Sequence, residues 1–111
     1  MAYAFAMPVL PGKAEVARRF VTEVLGPRRS DWDDLQRRQG VTRESYFLQH
    51  DPAGDLFIVT GEGTFTPISE WLDPDGIPFD RWFADQIREI TGLEVRELGD
   101  EPPEHLGDWR P

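Results

Sequence analysis

The chain opens with small and large side chains in alternation, Ala2, Ala4 and Ala6 against Tyr3, Phe5, Met7 and Val9. Successive side chains of a strand point to opposite faces, so this pattern predicts a strand over 2–10 with one crowded face and one close-packed face. Pro11-Gly12 ends it. From Lys13 the period changes: Ala17, Phe20, Val21, Val24 and Leu25 follow the spacing of a buried helical stripe, while Glu15, Arg18, Arg19 and Glu23 fall on the opposite side. Gly26-Pro27 should kink or stop this helix, since proline lacks the backbone donor and clashes with the preceding turn. If the helix restarts, Ser30 is a suitable N-cap, with Asp31, Asp33 and Asp34 in the first turn, and Gly40 supplies an end.

Segments 42–50 and 55–62 read as two further strands joined by Asp51-Pro52-Ala53-Gly54, a turn of hairpin length, and should pair antiparallel. Segment 64–78 is irregular but carries Phe65, Ile68, Trp71 and Leu72, as a lid or short helical turn packed on the body would. Phe79, Trp82, Phe83, Ile87 and Ile90 then form a second amphipathic stripe, with Asp80, Arg81, Asp85, Arg88 and Glu89 expected in solvent and Gly92 as the stop. A last strand is expected over 93–98, followed by a polar tail, 99–111, in which Leu106 and Trp109 are the large apolar residues. The predicted division is one α+β domain over 1–98 and a tail that packs on the body or on a partner subunit.

The pieces Glu44-Ser45-Tyr46-Phe47-Leu48-Gln49, Gly54-Asp55-Leu56-Phe57-Ile58-Val59, Pro78-Phe79-Asp80-Arg81-Trp82-Phe83 and Asp108-Trp109-Arg110 occur in an order that resembles a family of small uncharacterised bacterial proteins in the dimeric α/β-barrel superfamily. The resemblance implies a ferredoxin-like β-α-β-β-α-β antiparallel sheet with both helices on one face, and two such sheets packed into a barrel across a two-fold axis. The superfamily includes antibiotic-biosynthesis monooxygenases, haem-degrading enzymes, polyketide cyclases and stress-response proteins, so the fold does not choose an activity. Haem-degrading members and several quinone-forming monooxygenases use an asparagine beside the substrate, and this sequence contains none.

Composition narrows the partners. Twelve basic against 21 acidic residues give a net charge of −9, which disfavours nucleic acid and anionic membranes. The absence of cysteine removes disulfides, thiol nucleophiles and thiolate metal sites and fits a reducing, cytoplasmic location. The apolar start lacks a basic leading region and reads as a strand, not a signal peptide. Neither haem, flavin nor a transition metal is expected: His50 and His105 are far apart in sequence, and Gly61-Glu62-Gly63 places an acid where a phosphate would sit.

Among candidate site residues, His50 at a strand end can serve as a general base near neutral pH, and Tyr46 on the same alternation as a hydroxyl partner. Glu44 shares that face and reads first as a surface pair with Arg43 or a cross-strand cation, and Tyr46 reads first as core. Trp32, Trp71 and Phe65 stand in the least regular segments and are candidates to line a cleft for a flat aromatic ligand. Two functions from different classes follow: a cofactor-independent enzyme acting on an aromatic or polyketide-like molecule, or a non-catalytic homodimer that binds a hydrophobic metabolite or a partner protein.

Overall fold

The computed structural model describes residues 2–64, 66–98 and 101–111. Strands β1 (Ala2–Pro8), β2 (Val41–Gln49) and β3 (Leu56–Gly63) form one antiparallel sheet in the order β1-β3-β2. Helices α1 (Ala14–Leu25), α2 (Arg29–Gln39), α3 (Ile68–Trp71) and α4 (Pro78–Thr91) complete the α+β fold. No helix among the described residues is long and apolar enough to cross a membrane.

Alternation on β1 works as its sequence dictates. Tyr3, Met7 and Val9 are buried, whereas Ala2, Ala4 and Ala6 are exposed. The inward face of the sheet, with Phe57 and Val59 from β3, meets Val16, Ala17, Phe20 and Val24 of α1 and Phe79, Phe83, Ile87 and Ile90 of α4. Phe20 sits at the centre, edge-on to Trp32 at 5.7 Å and stacked on Trp82 at 5.7 Å. Arg28 covers the outside of Trp82, its guanidinium carbon 4.3 Å from the ring centroid.

Four expectations need correction. Leu25, expected in the apolar stripe, is exposed at the Gly26-Pro27 junction, where of the two alternatives the chain takes the restart, giving two separate helices. Ser30 is not an N-cap: Arg28 and Arg29 bond back to Glu23 and Gly26, so α2 begins at Arg29 directly from the turn, without a side-chain cap. Asp80, expected in solvent, is fully buried because segment 72–76 folds over the start of α4. The strand expected over 93–98 is a 3₁₀ helix, Val95–Leu98. Val95 and Leu98 are three residues apart, so a three-residue turn brings both onto the core, which strand alternation would prevent.

Residues 101–111 have no regular structure, and Leu106 and Trp109 are 89% and 84% exposed within the single chain.

Candidate functional site

Tyr3, Gly61 and Glu44 stand opposite one another on β1, β3 and β2. A Cβ on Gly61 would lie 2.5 Å from the Tyr3 hydroxyl oxygen, so glycine at this position lets the Tyr3 ring lie across the middle strand. Its hydroxyl thereby reaches Glu44 on the far strand and donates to Oε2 at 2.5 Å. Tyr46, two residues on and so on the same face, donates to Glu44 Oε1 at 2.8 Å. From α2, Trp32 and Gln36 are one helical turn apart and point together at β2. Trp32 Nε1 donates to the Tyr46 hydroxyl at 2.9 Å, and Gln36 Nε2 donates to Glu44 Oε1 at 2.7 Å. The side-chain amide oxygen of Gln36, Oε1, is buried without a partner.

Both tyrosines are pushed well above the ordinary phenol range. Burial is the main cause for each, and the neighbouring Glu44 carboxylate adds to it; the Trp32 and Gln36 donors offset part of the effect at Tyr46. Near neutral pH the two hydroxyls are therefore hydrogen-bond donors and not bases. Their acceptor is Glu44, which takes three hydrogen bonds in all.

This cluster closes one end of a cavity of about 150 Å³ between the sheet and the helices. Phe5, Phe20, Phe57, Trp71 and Phe83 contribute aromatic wall, and Trp32, Glu44 and Tyr46 form the polar end. The same three residues also line an outer groove of about 500 Å³, with Arg29, Arg37 and Arg43 at its rim. Trp32, Glu44 and Tyr46 are thus shared between a mostly apolar cavity and a more polar outer groove.

Trp71 is fixed from two sides: its indole N–H donates to the Thr66 carbonyl at 3.0 Å, and its own carbonyl accepts from Arg38 at 2.7 Å. Arg38 also holds Asp80 through two hydrogen bonds of 2.8 Å, and Asp80 accepts the Asp73 backbone N–H at 2.9 Å. The hydrogen bond to Asp80 holds the Arg38 guanidinium above its usual pKa; burial works against this, and the charges of Asp80 and Asp34 add to the rise.

Of the residues singled out in the sequence, Trp32, Tyr46 and Trp71 come together on the cavity. His50 does not. β2 ends at Gln49, and the His50 side chain is 61% exposed, with Nδ1 3.1 Å from Asp55. Phe65 lies outside the described residues. Asp33 and Asp34 pair with arginines of their own helix, Asp73 caps the Gly76 N–H and Asp75 pairs with Arg81. Among the described residues no three His, Cys, Asp or Glu stand close enough to hold a metal ion. Tyr3, Gln36 and Gly61 complete the site, and the sequence pattern does not single them out. The available signal was Gly61 itself, since an isolated glycine inside a strand marks a place where another group passes close by. No protein-family model matches the chain, and no curated protein or solved structure does so either.

Proposed function

We propose that the protein is a non-catalytic binding protein that takes up one small hydrophobic molecule in the cavity beneath the sheet. The observation that carries this reading is a mostly apolar space of about 150 Å³ in which Glu44 and Tyr46, hydrogen-bonded to each other, stand among a few polar lining residues that also include Gln39 and Thr66. That combination of apolar wall and a few converging polar groups is the usual make-up of a ligand site, and the volume sets the size of the guest at about one ring. A fused polyketide-like skeleton is too large for it. The reading is favoured over proton-transfer chemistry because Glu44, the carboxylate at the cavity, already accepts three hydrogen bonds, and His50 is elsewhere. A cofactor-independent enzyme is the second reading; it would rest on the Tyr46 hydroxyl, held between Trp32 and Glu44 at the cavity, as proton donor.

The strand order β1-β3-β2 and the placement of α1 and α4 against one sheet face are compatible with the ferredoxin-like arrangement, extended here to a proposed homodimer through the opposite face.

Calorimetry and tryptophan fluorescence with one-ring compounds such as toluene test the binding reading. Trp32 and Trp71 line the cavity, so binding should change their emission and raise the melting temperature. Val59→Phe, which places a ring in the same space, should abolish both effects. An unchanged melt and emission with every one-ring compound would remove the reading.

A further inference from the structure

The geometry points to a small organic cation, an amine or quaternary ammonium on an apolar body of about one ring, as the guest of this cavity; the inference rests on the binding reading above. Two independent observations meet in it. The first is Glu44. All three of its donors, Tyr3, Tyr46 and Gln36, are neutral, and among the described residues no lysine, arginine or histidine comes within ion-pair distance of it. Arg29 and Arg37 on the groove side are engaged with Asp33 and Asp34, and Arg43 is exposed. A partly buried carboxylate without a counter-charge is a costly arrangement that a bound cation relieves. Oε1 takes two hydrogen bonds and Oε2 one, so an acceptor site remains on Oε2.

The second observation is the wall. Trp32, Trp71, Phe5, Phe57 and Phe83 surround the space beside Glu44. Aromatic faces carry negative quadrupole and attract a cation more strongly when it is desolvated, so walls and carboxylate select the same sign of charge. A net charge of −9 raises the local concentration of cations in the same sense. A carboxylate-bearing guest of equal size would place two anions together and is rejected.

Benzylamine, benzyl alcohol, toluene and benzoate at neutral pH form the test set, with binding read by calorimetry and tryptophan fluorescence. Benzylamine should bind about tenfold or more tighter than benzyl alcohol, because both can donate to Glu44 but the ammonium alone brings the counter-charge, and benzoate weakest. Glu44→Gln should bring benzylamine down to the level of benzyl alcohol while toluene binds as before. Tyr3→Phe serves as a second variant should Glu44→Gln fail to fold; it removes a neutral donor from Oε2 and should widen the preference for benzylamine. If toluene and benzyl alcohol bind and benzylamine does no better in wild type, the cation inference fails while the cavity reading stands. If none of the four binds, the cavity reading fails and the inference with it.

Discussion

Tyr3 and Tyr46 are the only two tyrosines in the sequence, and both donate to Glu44. Tyrosine ionisation therefore reports on the site alone. In the unfolded chain these phenols titrate near 10, and in the folded protein both are raised, mainly by burial and then by Glu44. Above pH 10 the folded state thus binds more protons than the unfolded one, so the stability contributed by these phenols is full below that pH and falls as pH rises past it. Spectrophotometric titration should detect no tyrosinate until the protein unfolds, and urea melts should weaken with pH from about 10 upward, with about half that slope in Tyr46→Phe. Tyrosinate absorbance at the ordinary pH in the native protein would contradict the arrangement. Tyr46 could be picked out in the sequence because strand alternation set it beside Glu44, but the role of Tyr3 could not. It depends on register across three strands and on Gly61 leaving room for the ring.

At the level of elements, one ion pair ties the lid to the body. Arg38 reaches from α2 to Asp80 at the start of α4 and to the carbonyl of Trp71 in α3, so three elements meet at one guanidinium. Asp80→Ala leaves Arg38 without its buried partner and frees the Asp73 N–H, and should cost about 3–5 kcal/mol in urea unfolding. Trp71 is part of the cavity wall, so the same variant should also weaken binding of a one-ring guest. None of this was legible in the helical pattern. Asp80 falls on the side of α4 that the apolar stripe assigns to solvent, and only a long-range contact with segment 72–76 buries it. Elements buried on one side only, such as β1 and α1, were readable because their period follows the core directly. Leu93-Glu94-Val95-Arg96-Glu97-Leu98 was misread because its apolar residues satisfy alternation at Leu93 and Val95 and a three-residue turn at Val95 and Leu98. Packing against the core selected the turn.

For the molecule as a whole, the outward sheet face decides what it does in solution. Ala6, Ile58 and Phe47 stand side by side across β1, β3 and β2, next to Pro8 and Leu56, and Phe47 is 53% exposed. A solvated antiparallel sheet normally presents polar side chains on its free face, so an apolar row across all three strands fits a surface that is covered. The proposed cover is a second copy, the same row meeting itself across a two-fold axis, with the exposed Leu106 and Trp109 of each tail available to the partner. Light scattering coupled to gel filtration at micromolar concentration should give about twice the 12.8 kDa of one chain. Phe47→Asp puts a charge at the β2 end of that row, on the face turned away from the inward core, so it should yield a folded monomer with the cavity and its tyrosine titration unchanged. A wild-type protein that elutes at the mass of a single chain would remove the dimer, and would leave the cavity proposal standing because the residues that line it come from one chain.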